Sequence, residues 1–255
     1  MRIEQWISAV FSPTGTTWKA ARAVAEGSGC PVREVDLSAL TEGETVPADT
    51  VLLAAAPVFG GRVPAAALER LAALRGAGGP AIAVVVYGNR HYDDALLEWK
   101  TALEQSGFRV AAAGAFVAEH SIVRTVAAGR PDAQDLQVAR DFGRAAAQKL
   151  SLPEEEQTSI QVPGNPVYQA YRGMPARPEA GKSCIKCGAC ARLCPVGAIP
   201  PEAPNLTHKE KCITCMRCVS VCPENARALP APILATLAEG LTRKAAARRE
   251  PEVFL

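Results

Sequence analysis

Cys184-Ile185-Lys186-Cys187-Gly188-Ala189-Cys190-Ala191-Arg192-Leu193-Cys194-Pro195 recurs further along the chain as Cys212-Ile213-Thr214-Cys215-Met216-Arg217-Cys218-Val219-Ser220-Val221-Cys222-Pro223. Both copies read C-x2-C-x2-C-x3-C-P and together use eight of the nine cysteines. Three thiolates spaced along a tight loop can reach three irons of one cubane cluster. The fourth, on the helical turn that follows, points away and serves the other cluster. The expected ligand sets are therefore Cys184, Cys187, Cys190 and Cys222 on one [4Fe–4S] cluster, and Cys212, Cys215, Cys218 and Cys194 on the second. Pro195 and Pro223 close the loops, where a fixed φ and a missing N–H do no harm.

Two other chemistries use clustered cysteines. Structural zinc takes two ligand pairs across a longer loop, which leaves the third and fourth cysteines of each run unexplained. Disulfides across C-x2-C loops have poor geometry, and nothing marks secretion. Residues 183–225 resemble the bacterial two-cluster ferredoxins, a pseudo-twofold pair of small hairpin-and-helix units. A module of that size buries too little apolar surface to stand alone, so the clusters are expected to hold it together.

The 255 residues allow one ordinary domain beside this module, and with 48% hydrophobic residues there is material for a core. A net charge of +2 makes no case for nucleic acid or an anionic membrane surface. The start of the chain lacks the features of a signal peptide, and no stretch is apolar for long enough to span a bilayer. Iron-ligating thiolates suit a reducing compartment, so a cytoplasmic location is expected.

Upstream of the cysteines, strand and helix alternate. Strands are expected at 3–11, 32–37, 50–56, 81–87 and 108–117, with helices at 18–26, 64–74, 93–105 and 132–150. Apolar strands alternating with helices argue a doubly wound α/β parallel sheet. Such sheets bind ligands beyond the carboxyl ends of their strands. The loop after the first strand, Ser12-Pro13-Thr14-Gly15-Thr16-Thr17, offers hydroxyls and amides at a helix N-terminus, which suits an anion. It is neither G-x-G-x-x-G nor a P-loop.

In that setting residues 1–150 resemble a flavodoxin. The resemblance implies a five-stranded sheet of order 2-1-3-4-5 with FMN at its edge. It implies Ser12, Thr14, Gly15, Thr16 and Thr17 around the phosphate. It also implies Pro57, Val58, Phe59 and Gly60 on one side of the isoalloxazine ring, with Gly88, Asn89, Arg90 and Tyr92 on the other. Phe59 and Tyr92 would be the flanking aromatics, and Arg90 would bring positive charge where many flavodoxins carry acidic residues. As a whole the chain is similar to flavodoxin–ferredoxin fusions of anaerobic bacteria and archaea, electron-transfer proteins whose signatures look like Gly88-Asn89-Arg90-His91-Tyr92-Asp93-Asp94 and Pro163-Gly164-Asn165-Pro166.

The expected division is a flavodoxin-like domain at 1–150, a proline-rich linker at 151–182, the two-cluster domain at 183–228 and a helix with tail at 229–255. Tyr168 and Tyr171 offer a means of pinning the linker to the first domain. The last segment reads as a solvated helix with a basic end, or as a docking site for an acidic partner. Cys30 reads as an unreactive thiol, and His91 and His120 as loop histidines near the ligand edge. No Ser-His-Asp set, H-E-x-x-H or paired carboxylates is present, so no catalytic residue is expected. The favoured function is electron transfer between two [4Fe–4S] clusters, FMN and a redox protein partner. The alternatives are an FMN-dependent reductase of a small organic substrate, fed by its own clusters, and a redox sensor or assembly module without flavin.

Overall fold

The computed structural model describes residues 3, 5–40, 42–153, 156–157, 159–171 and 173–255. Its centre is a sheet of parallel strands β1 (Gln5–Val10), β2 (Val32–Asp36), β4 (Thr50–Pro57), β6 (Pro80–Tyr87) and β7 (Arg109–Val117). They lie in the order β2-β1-β4-β6-β7, which is the flavodoxin-like order expected. All eight residues of β6 are buried. Alternate residues feed the two faces: Leu52, Ala54, Ala83 and Val85 join one core, while Val51, Leu53, Val84 and Val86 join the other.

Helices α2 (Ala65–Leu71) and α3 (Ala95–Gln105) cover the first face through Leu71, Leu96, Trp99 and Leu103. Helices α1 (Thr16–Ser28) and α4 (Ala133–Ser151) cover the second through Ala20, Val24, Ala139 and Phe142. The α1–α4 crossing is close because both helices present glycine there. A Cβ on Gly143 would lie 1.9 Å from the Val24 carbonyl oxygen, and one on Gly27 would lie 1.9 Å from that of Arg140. Helix α4 opens with a reciprocal capping box between Asp132 and Asp135.

Three strands depart from the expected pattern. β3 (Glu44–Val46) and β5 (Leu74–Gly76) form a separate parallel ribbon. β10 (Glu252–Phe254), three residues from the chain end, pairs antiparallel with β7 and makes the main sheet six-stranded rather than five-stranded. The tail is thus a structural part of the first domain.

The cysteine-rich module begins at β8 (Glu179–Ala180), which pairs antiparallel with β9 (Arg227–Ala228), a few residues ahead of the expected start. Between them stand two one-turn helices, α5 (Ala189–Arg192) and α6 (Arg217–Ser220). Helix α7 (Ala231–Lys244) follows. It is not simply a solvated helix. Leu234 and Leu237 pack both on Val123 and Val126 beyond β7 and on Met216 and Leu229 of the cysteine module. α7 is therefore a strut between the two units.

Beyond Ser151, the last residue of α4, the 151–182 linker contains no α-helix or strand among its described residues before β8, but its second half is pinned rather than free. Asp94 accepts the amides of Asn165 at 2.9 Å and Gln169 at 3.1 Å. The Arg62 guanidinium donates to the Gln169 carbonyl and lies 4.7 Å from the Tyr168 ring centroid. Ile160 is buried in the first core. No helix among the described residues is long and apolar enough to cross a membrane.

Candidate functional site

The loop from β1 into α1 turns at Gly15, whose φ of 88° is left-handed, and no side-chain cap is made at that residue. Ser12 lies beneath the loop, its Oγ accepting the Trp18 amide at 3.2 Å and the Ser38 hydroxyl accepting its own. The Gly15 amide donates back to the Ser12 carbonyl at 3.4 Å, and Thr14, Thr16 and Thr17 line a cleft. At one end of that cleft Thr14, Gly15 and Thr16 meet Lys19, Arg124 and Arg130. In its middle Thr14, Thr16 and Thr17 meet Pro57, Val58, Phe59 and Gly88. At the far end Phe59, Gly60, Gly88 and Arg90 meet Tyr87, His91 and His120. At the hydroxyl-bearing end Arg124 pairs with Glu119 at 2.6 Å and Arg130 with buried Asp135, and Lys19 also lines the cleft.

The other unit closes this cleft. Cys215 lines its middle, Ile213 and Thr214 its far end, and Met216, Val219 and Ser220 its hydroxyl-bearing end. Arg217 donates to the Pro13 carbonyl at 2.9 Å, tying α6 to the loop. Tyr171 and Met174 of the linker and Leu237 and Leu241 of α7 complete the far end. The Tyr171 ring lies directly against Gly60.

Three of the expected cleft residues are elsewhere. Ser12 is a buried staple and does not line the cleft. Asn89 turns to the C-terminal tail: its Nδ2 donates to the carbonyls of Ala245 and Ala247, and its Oδ1 accepts the Arg249 amide. Tyr92 is 1% exposed, with its hydroxyl donating to Glu252 at 2.7 Å. Its ring packs edge-on to Tyr87 and face-on to His91. Tyr92 is therefore core, and the aromatics at the far end are Phe59, Tyr87 and Tyr171. Arg90 does line the cleft, but Asp93 forms an ion pair with it and offsets its charge.

His120 stands where the middle and far end meet. Its Nδ1 accepts the amides of Ile122 and Val123 at 3.2 and 3.1 Å, which leaves Nε2 as the N–H of the neutral ring. Burial, with Arg90 adding to it, pushes its pKa down to about 4. His120 therefore offers a fixed neutral donor edge. Sequence reasoning passed over its neighbours Glu119 and Ser121, although they follow a strand's carboxyl end, where ligands sit. Tyr171, Ile213, Thr214 and Leu237 carry no local signal of a shared site.

The cysteines group across the repeat. Cys184, Cys187, Cys190 and Cys222 line one cavity together with Pro204 and Arg227. Cys194 acts electrostatically on each of Cys212, Cys215 and Cys218. Burial pushes Cys215 up to about 12 and Cys218 up to about 11, and neighbouring cysteines push the same way. Among the described residues no group of three or more side chains is drawn together to hold a single metal ion.

The two runs share their backbone path. Left-handed φ recurs at Lys186 and Thr214, at Gly188 and Met216, and at Gly197 and Asn225. The amides of Ala198 and Ala226 donate to the sulfurs of Cys194 and Cys222, each at 3.2 Å. Non-glycine residues in that conformation cost roughly 1–3 kcal/mol and persist where the surroundings dictate them. Amide N–H groups aimed at these sulfurs favour the thiolate, the form that ligates iron.

The fold and these runs define a flavodoxin-like α/β sheet joined to an iron–sulfur module. Residues 183–226 match the family of 4Fe-4S dicluster domains. No curated protein matches the chain. Among solved structures, a flavodoxin from the domain Archaea is 14% identical over 58% of this chain and 99% of its own, with a TM-score of 0.39. The WrbA-like flavodoxin from Agrobacterium tumefaciens is 16% identical over 57% of this chain and 96% of its own, with a TM-score of 0.40. Rubredoxin oxygen:oxidoreductase from the anaerobe Desulfovibrio gigas is 15% identical over 59% of this chain and 38% of its own, with a TM-score of 0.39. The fold itself rests on the strand order and register given above.

Proposed function

We propose that this chain is an electron-transfer iron–sulfur flavoprotein that binds FMN in the cleft and two [4Fe–4S] clusters in the cysteine module. The observation that carries the reading is the position of Cys215, which lines the same cavity as Thr14, Thr16, Thr17 and Phe59. Clusters supply one-electron steps and a flavin one- or two-electron steps, so the pair joins one-electron donors to two-electron chemistry.

In this reading Thr14, Thr16, Thr17 and the first amides of α1 hold the phosphate, with Lys19 and Arg124 nearby. Phe59 and Tyr171 flank the ring, and His120 donates to it. The ligand sets are those expected from the repeat, crossed through Cys194 and Cys222. Ile213, Thr214, Tyr171 and α7 form one wall of the ring end. The reductase alternative draws on His91 and His120, which line that same end.

Anaerobically purified full-length protein tests this. The expected content is two clusters and one FMN per chain, by iron and sulfide assay and by absorbance. Cys194→Ala should damage the cluster whose other ligands are Cys212, Cys215 and Cys218 and leave its mate, seen by EPR. Protein without flavin would sink the electron-transfer assignment. Loss of only the cluster built on Cys184, Cys187 and Cys190 would sink the crossed pairing.

A further inference from the structure

The two runs remain in register beyond their prolines. Cys194-Pro195-Val196-Gly197-Ala198-Ile199 aligns with Cys222-Pro223-Glu224-Asn225-Ala226-Arg227, and the matching φ angles and amide–sulfur bonds extend through this stretch. The repeat therefore places Arg227 where its mate has Ile199. Both are buried, at 2% and 3% exposure. An interior position filled by an aliphatic side chain in one half carries a permanent charge in the other.

That charge is held in place but not neutralised by protein. Nη1 donates to Thr207 Oγ1 at 2.8 Å, and Nη2 donates to the carbonyls of Leu206 and Pro204. Nε is fully buried and has no hydrogen-bond partner. No carboxylate forms an ion pair with Arg227 among the described residues. A buried guanidinium without an anion is costly, and an anion in the cavity beside it would offset that cost. Arg227 also lines the cavity of Cys184, Cys187, Cys190 and Cys222. Four thiolates around a cubane leave a net negative charge, and that charge increases by one on reduction.

We propose that Arg227 is a tuning residue: it is the counter-charge of the cluster held by Cys184, Cys187, Cys190 and Cys222 and raises that cluster's reduction potential above the value it would otherwise have. The inference rests on the two-cluster reading above. Positive charge and N–H donation to sulfur both favour the more negative, reduced state. Ile199 provides neither, so the two halves differ in potential although their cysteine spacing is identical.

The test is an EPR-monitored titration of the full-length protein with titanium(III) citrate. Arg227→Met should shift the reduction equilibrium of one cluster about tenfold or more toward the oxidised form, 59 mV for one electron. The cluster that moves most should be the one whose signal changes in Cys222→Ser, and the other, which Arg227 reaches only through Cys218, should move less. Arg227→Lys keeps the charge but loses the Nε donor, so its shift should have the same direction and be smaller. Full iron content with both potentials unchanged in Arg227→Met overturns the proposal. Should that variant fail to hold iron, an unchanged titration of Arg227→Gln, which removes the charge but keeps N–H donors, overturns it instead. Wild-type protein lacking two clusters would defeat the reading on which it rests, not the role of Arg227.

Discussion

Tyr92 is buried against the tail and Tyr171 lines the cleft, and the two can be told apart by substitution. Tyr92→Phe removes one hydroxyl bond to Glu252, worth about 1 kcal/mol, and should lower Tm by about 2–4 °C. FMN affinity, measured by fluorescence titration, should stay as in wild type. Tyr171→Ala should weaken FMN several-fold while leaving Tm nearly unchanged, and the reverse pattern would return the flanking role to Tyr92. The tyrosines also set an alkaline limit. Burial, followed by the charge of Glu252, pushes Tyr87 up to about 12, and burial raises Tyr92 as well. An unfolded tyrosine ionises near 10. The folded state therefore binds these protons more tightly, and the stability they contribute is complete below about pH 10 and lost as pH rises toward 12. Urea titrations followed by tryptophan fluorescence should show that fall, and Tyr92→Phe should reduce it.

At the level of elements, the C-terminal strand does more than lengthen the sheet. β10 covers the β7 edge over Ala113–Ala115. The residues before it occupy Asn89, and Arg248 pairs with Asp132 at 2.7 Å and with buried Asp135 at 3.3 Å. The tail therefore braces the loop after β6 and the cap of α4 together. Deleting residues 246–255 should strip Asn89 of its bonds to Ala247 and Arg249, expose the strand edge and speed amide exchange in β7. FMN affinity should fall with it, because Gly88 and Arg90 share that loop. A truncated protein that binds FMN as the full chain does would show that the brace has no part in the site. Of the basic residues at this end, Arg248 is spent on this intramolecular contact, while Arg243, Lys244 and Arg249 are exposed.

For the whole molecule, the two units are held by α7, by Arg217 on Pro13 and by the linker residues on Asp94 and Arg62. The cysteine module has a core of only a few side chains, Cys190, Ala191, Ile199 and Cys218, so its stability depends on what the thiols bind. Chelating the iron should unfold residues 179–228 and release α7. Hydrogen exchange should then rise across that span and at residues 122–126, while β1, β4 and β6 stay protected. The cleft would lose Ile213 and Thr214 from its far end and Cys215 from its middle, and FMN should be held more weakly than in the iron-loaded protein. Protection that persists through 179–228 after iron loss would show that protein packing alone holds the module.

The sequence by itself determined the parallel sheet, since strands buried on both faces must be apolar throughout and period-2 alternation then divides them between two cores. It also determined the doubled cysteine spacing and the hydroxyl-rich loop at the start of α1, because these depend on residues close together in the chain. Only the tertiary structure decided that β10 completes the sheet, that Asn89 and Tyr92 serve the tail, and that residues 171, 213–215 and 237–241 wall the cleft. Those contacts join segments far apart in sequence, and a three-residue strand such as Glu252–Phe254 has too little pattern to announce its partner. Arg227 belongs to both. The repeat shows it to be out of place, and burial without a carboxylate gives that displacement its physical meaning.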